Sequence, residues 1–293
     1  MASSPVILAV ANQKGGVGKT TTAVNLAASL ATAEQRTLLI DCDPQGNASS
    51  GVGVRRETIE RSLYDVLIDQ SQLSEVIVAT AVPGLDVVPA TQDLVAAELE
   101  LVDAPDRAGK LRAALRPHVT GYDYVVLDCP PSLGLLTLNA LTAATRVLVP
   151  LQCEYYALEG LTHLMATIDR VRAAYNPELA IEGIVLTMYD GRNSLTHQVA
   201  DEVKAHFHVF EAIIPRNIKL SEAPSHGKPA LLYDVQSKGA QGYLSLAREI
   251  LDAAEAAKKK ARSAAKEPRR REGHEHAEGG DAASSSGAAR SRT

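Results

Sequence analysis

Short, near-continuous runs of Val, Ile, Leu and Ala alternate along this chain with stretches of helical spacing. Val6–Ala11, Thr37–Ile40, Leu85–Val88, Tyr124–Leu127, Arg146–Pro150 and Ile181–Thr187 predict strands. They lack the strict alternation of a half-exposed strand. The sheet that holds them is therefore expected to be parallel and covered on both faces. Between them, Thr21–Ala33, Leu94–Val102, Asp106–Leu115, Leu135–Ala144, Leu158–Tyr175 and Leu195–Phe207 carry apolar residues three and four positions apart and predict helices. Ser237–Ala257 predicts a last packing helix. This alternation points to the α/β class: a mostly parallel, twisted β-sheet flanked by helices on both faces, with right-handed crossovers.

The pattern stops after Ala257. From there to Thr293 the chain contains no Val, Leu, Ile, Phe or Tyr. Such a segment cannot bury enough apolar surface to offset the entropy of ordering. The expectation is one domain over residues 1–258 and a charged tail over 259–293, disordered from about residue 262. Charge follows the same division. Residues 255–293 hold ten Lys/Arg and six Asp/Glu, whereas the first 254 carry a net −9. An acidic body is unlike a conventional nucleic-acid binder, so any such contact must come from a local patch.

Composition narrows the classes further. Aromatic residues are 4% of the 293, with no Trp, so the core is aliphatic. The three Cys, at 42, 129 and 153, form no C-x-x-C pair and no disulfide framework. No apolar run reaches the ~18 residues of a membrane span. Met1–Pro5 lacks a basic segment leading into an apolar stretch, so a cytoplasmic protein is expected. His274 and His276 are too few for a metal site.

Gly15-Gly16-Val17-Gly18-Lys19-Thr20 is the strongest chemical signal. It lies between a strand and a helix, the setting a phosphate-binding loop needs. The glycines let backbone N–H groups turn inward around phosphates, and the helix N-terminus adds partial positive charge. Lys19 would reach the β- and γ-phosphates, and the Thr20 hydroxyl would ligate Mg²⁺. The general pattern wants Gly at position 13, where this chain has Gln followed by Lys14. Two acidic clusters share that end of the sheet: Asp41-Cys42-Asp43-Pro44-Gln45-Gly46-Asn47 after the second strand, and Asp128-Cys129-Pro130-Pro131-Ser132 after Tyr124–Leu127. Ligands of open parallel sheets bind beyond the strands' carboxyl ends. An Asp in that position can hold Mg²⁺ or its water shell.

Lys14 through Thr20 resembles the deviant Walker A motif of the ParA/MinD ATPases, a P-loop NTPase group. Asp41–Asn47 and Asp128–Ser132 are similar to that family's two switch segments. Pro150–Gly160, Leu186–Arg192 and Ile214–Gly227 extend the resemblance over almost the whole body, and the last stretch is closest to the chromosomal ParA/Soj subgroup. The resemblance implies a homodimer closed by ATP and Mg²⁺. In it Lys14, Gly15, Gly16, Val17, Gly18, Lys19, Thr20 and Thr21 surround the phosphates, and Lys14 reaches the partner's nucleotide. Asp43 positions the attacking water, with Asp41 in support. Thr20, Asp43 and Asp128 surround the magnesium, and Pro215 and Asn217 lie against the adenine. It also implies nonspecific binding of double-stranded DNA by the ATP state, with Arg192, Arg216 and Lys219 as candidate contacts. Hydrolysis would be slow alone and stimulated by a ParB-type centromere-binding partner. Chromosome or plasmid segregation on the nucleoid would be the role. The alternative is a MinD-like ATPase that positions a protein or membrane-associated assembly. That class needs an amphipathic C-terminal helix with large apolar residues, whereas this tail offers basic residues and Ala.

Overall fold

The computed structural model describes residues 4–266. Eight strands form one sheet: β1 (Val6–Val10), β2 (Thr37–Asp41), β3 (Val78–Ala79), β4 (Leu85–Val88), β5 (Tyr124–Asp128), β6 (Arg146–Gln152), β7 (Ala180–Tyr189) and β8 (Val209–Pro215). Their order is β3-β4-β2-β5-β1-β6-β7-β8. Every neighbouring pair is parallel except β3 with β4. The sheet is thus the mostly parallel one the apolar runs predict, with β1 between β5 and β6.

Both faces are covered, and side chains divide between them with the two-residue period of a strand. Leu8 and Val10 of β1 pack with Leu26 and Leu30 of the helix Lys19–Thr32, and with Tyr243, Leu246 and Ile250 of the last helix. Ala9 and Ala11 join the opposite cluster, with Leu136 and Ala140 of the helix Leu135–Ala143 and Leu164 of the helix Ala157–Ala174. Among the described residues no helix is long and apolar enough to cross a membrane.

Three features differ from the expectation. β8 is a strand that the apolar pattern does not announce, and β3 is too short to announce itself. Short helices such as Asn47–Gly51 and Leu63–Leu67 fill segments for which the apolar pattern predicts no element. The last helix runs from Lys238 to Lys266, past both Ala257 and the expected onset of disorder at 262. Ala and Lys are strong helix formers, and no Gly or Pro interrupts them before Pro268. Residues up to Asp252 form one compact unit and those from Ala253 a second. The rest of the expected tail, 267–293, lies outside the described residues.

Candidate nucleotide site

The site is built where β1, β2 and β5 end. In the parallel register Val10 of β1 pairs with Asp128, and Asp41 of β2 pairs with the same residue. Both aspartates are therefore the last residues of their strands rather than loop residues, and both are fully buried. The connection from β1 to the first helix turns sharply. Gly16 (φ 75°) and Gly18 (φ 87°) adopt left-handed backbone that any other residue would enter with strain. Gly18 is also the N-cap of Lys19–Thr32 and offers no side chain to satisfy the helix's free N–H groups. Those donors stay available to an anion.

Side chains brace the loop from both sides. Asn12 accepts from Lys14 N at 3.0 Å and donates to the Pro150 carbonyl at 2.8 Å, tying the loop to β6. Val17 is buried, and its carbonyl accepts from the Thr187 hydroxyl of β7 at 2.8 Å. Lys19 is buried and donates to the Lys14 carbonyl at 2.9 Å. Burial lowers its pKa, opposed first by the charge of Asp128 and later by that of Asp43. Thr20 and Thr21 occupy the first turn of the helix. Lys14 is only half-buried and forms an ion pair with Glu154, in the loop after β6. That partner is 140 positions away and was not foreseen.

The acidic residues differ in how they are held. Asp41 accepts from Ser49 N at 2.8 Å, Ser49 Oγ at 2.7 Å and Asp43 N at 3.2 Å. Ser49 Oγ in turn accepts from Ala90 N at 3.1 Å, so the helix Asn47–Gly51 is pinned between the ends of β2 and β4. Burial pushes the Asp41 carboxyl up to about 6 despite those donors. Asp43 is buried, with one oxygen accepting from Gln45 N at 2.9 Å. Asp128 has neither oxygen hydrogen-bonded among the described residues. Burial, then the charge of Asp41, drives its pKa well up; the nearby Thr20 hydroxyl opposes the rise without a well-formed hydrogen bond. A buried acceptor of this kind requires a partner. A hydrated Mg²⁺ beside Thr20 fits it, because Mg²⁺ keeps several waters and uses few protein carboxylates.

These raised carboxyls set a pH dependence. Between pH 4 and 6 the folded chain holds a proton on Asp41 that the unfolded chain releases, so stability falls as pH rises through that window. The ligand-free protein should melt at a higher temperature at pH 5.5 than at pH 7. Asp41→Asn should flatten that dependence, as a thermal melt series would read directly.

Other expected residues gather at the neighbouring corner. Pro215 ends β8 and pairs with Tyr189 at the end of β7. Asn217 caps the helix Ile218–Glu222, its oxygen accepting from Lys219 N at 2.9 Å. The segment that follows is tied to the phosphate-loop helix, where Asn25 Oδ1 accepts from Ala230 N at 2.7 Å. Arg192 is 91% exposed and forms two 2.9 Å bonds to Asp190. Lys219 pairs with Glu222 at 2.9 Å and lies over the Tyr233 ring. Arg216 is exposed and has no ion pair among the described residues. Cys42, Cys129 and Cys153 are all buried free thiols.

Comparison with known proteins agrees with this geometry. A family described as an AAA domain matches residues 6–181. The chain is 55% identical over 267 residues to the chromosome partitioning protein ParA of Myxococcus xanthus, covering 90% of this chain and 91% of that protein. It is 54% identical over 246 residues to the sporulation initiation inhibitor protein Soj of Bacillus subtilis, covering 83% and 97%. A solved cobyrinic acid a,c-diamide synthase of Mycobacterium smegmatis, with bound ADP and magnesium, superposes with TM-score 0.76 at 36% identity, covering 86% and 96%. Sequence and fold lead to one assignment: the chain belongs to the ParA/Soj family of chromosome-partitioning ATPases.

Proposed function

We propose that this chain is a Mg-ATP-dependent molecular switch. ATP closes a homodimer, the dimer holds nonspecific double-stranded DNA, and hydrolysis releases it. The buried Asp128 carboxylate, without a hydrogen-bond partner among the described residues, carries the proposal. It stands beside a loop whose free backbone donors and buried Lys19 suit a polyphosphate. In this reading Lys14, Gly15, Gly16, Val17, Gly18, Lys19, Thr20 and Thr21 surround the phosphates. Thr20, Asp43 and Asp128 hold magnesium and its water, and the ion supplies charge neutralisation as the γ-phosphate leaves. Asp43 orients the attacking water. Pro215 and the Asn217 side chain meet the adenine.

In this reading Lys14 closes the dimer. Its ammonium is half-exposed and neutralised by Glu154 on its own subunit. A pair this exposed is worth at most about 1 kcal/mol. A γ-phosphate presented by a second copy would compete for the ammonium easily. DNA contact is assigned to Arg192, Arg216 and Lys219, which share the corner where β7 and β8 end. Asp190 and Glu222 already neutralise two of them, so one subunit alone is a weak binder. Doubling the contacts in the dimer makes the affinity depend on ATP. A ParB-type partner at the centromere would speed hydrolysis, and the cargo would be segregated across the nucleoid in the cytoplasm.

Lys14→Ala tests the reading. The variant should fold with an unchanged melting temperature and bind ATP. It should stay monomeric in sedimentation and show no ATP-dependent affinity for a random-sequence duplex. A normal ATP-dependent dimer would remove the trans-acting lysine. A normal dimer without DNA binding in the wild type would shift the reading to an ATPase that positions protein or membrane cargo.

A further inference from the structure

Two helices that follow strands of the nucleotide site begin on a glycine that supplies no side-chain cap: Gly18 for Lys19–Thr32 and Gly134 for Leu135–Ala143. The first leaves its N–H groups to an anion. The second has no acidic residue in its own first turn, yet its start is answered from elsewhere. Glu98, on the helix Leu94–Glu100 and 38 positions away, brings Oε1 to 3.5 Å from Leu136 N, which donates to it. A contact this long is held by charge more than by hydrogen-bond geometry, the carboxylate facing the partial positive end of the helix. Glu98 is half-buried and forms no ion pair among the described residues.

Gly134 makes the approach possible. Its backbone (φ −77°, ψ −167°) is one that any residue adopts, so conformation does not call for glycine. Space does, because a Cβ at this position would overlap Glu98 Oε1. Beside the contact lies a cavity of about 450 Å³, lined by Glu98, Val102, Leu133, Leu135 and Leu138, so tight packing does not join the two helices there. What hangs on the contact is the segment from Cys129 to Gly134, which leads from Asp128 to the helix. Its first end is fixed to the sheet, where Cys129 N donates to the Val10 carbonyl at 3.3 Å. Its other end follows the helix, since the Thr137 hydroxyl donates to the Ser132 carbonyl at 2.6 Å.

We propose that Glu98 is a positioning residue for ATP hydrolysis: its carboxylate pins the start of the helix Leu135–Ala143, and through it the segment that follows Asp128. The role rests on the ATPase reading of the site, whereas the contact does not. Glu98 itself meets neither phosphate nor magnesium in this role. A segment pinned before ATP arrives loses less freedom when Asp128 and its neighbours close on the magnesium.

The test compares Glu98→Ala, Gly134→Ala and the double variant in the full chain, with melting curves to show that each is folded. Without nucleotide, hydrogen exchange of the amides of residues 133–136 should quicken about two- to fivefold in both single variants, the factor an anion at a helix start is worth. With Mg-ATP, kcat should fall by the same factor and KM should stay, because the phosphate loop keeps its contacts. Gly134→Ala displaces the carboxylate, so the double variant should be no worse than either single one. Glu98→Gln, which keeps the acceptor and loses the charge, should lie between Glu98→Ala and wild type. Fully additive effects of the two alanines would overturn the contact, since an alanine acting through the helix cap alone would add in that way. Unchanged exchange in Glu98→Ala would overturn it too. Quickened exchange with wild-type kcat would overturn the positioning role. A wild type that hydrolyses no ATP would overturn the ATPase reading, and that is seen before any variant is compared.

Discussion

Lys19→Ala should lose nearly all affinity for ATP. Lys19 is the one ammonium buried in the phosphate loop, and without ligand it donates to the Lys14 carbonyl. Its burial already costs it charge stabilisation, as its lowered pKa records. The charges of Asp128 and Asp43 offset part of that cost, and a phosphate chain would offset more. Removing one member of a buried charge pair costs about 2–5 kcal/mol, a loss of roughly 30- to several-thousand-fold in affinity. The folded state should tolerate the change. Truncation removes one cation from beside the buried Asp128, whose raised pKa lets it take up a proton. Titration calorimetry with ATP and magnesium reads the loss, and a melting curve shows that the body persists. ATP bound at wild-type affinity would place the phosphates elsewhere.

Asp43→Ala should separate binding from turnover. Asp43 follows the end of β2 by two residues, and one of its oxygens is held by Gln45 N. It contributes to no strand pairing, so its removal leaves the Asp41–Ser49–Ala90 brace in place. Orienting a nucleophile is worth about 10²–10⁴ in rate. The variant should bind ATP, dimerise and stay on DNA, with hydrolysis slowed by that factor. Phosphate release under single-turnover conditions is the measurement. Full turnover would assign the water to another carboxylate, and Asp128 would be the next to test.

Legibility in the sequence varied with the range of the interaction. The six apolar runs become β1, β2, β4, β5, β6 and β7, because a strand buried on both faces must be apolar throughout. The Gly-rich loop and its place between β1 and a helix were equally plain, since its glycines and Lys19 lie within a few residues of each other. β8 escaped notice for a physical reason. It is the sheet's edge, with Glu211 exposed in its middle, and the backbone N–H groups of Glu211 and Ala212 donate to Glu249 of the last helix at 2.9 and 2.7 Å. An edge supported from outside the sheet need not be written as a hydrophobic run. Glu154 against Lys14 and Thr187 against Val17 join residues more than a hundred positions apart, and no spacing rule reaches them. Ser49 sits in a plain Ala-Ser-Ser stretch that gives no sign of the Asp41 bond.

The bond from Thr187 to Val17 ties the Gly-rich loop to the end of β7, where Met188 stands in left-handed backbone (φ 47°) and the register with β8 shifts. β7 runs only from Thr187 to Tyr189 before Asp190 takes hold of Arg192. On the proposed reading, a shift of the loop would have only three residues of backbone to cross before it met the guanidinium groups where β7 and β8 end. The left-handed turn at Met188 lies in the middle of that path, and there a pull from the nucleotide would be taken up.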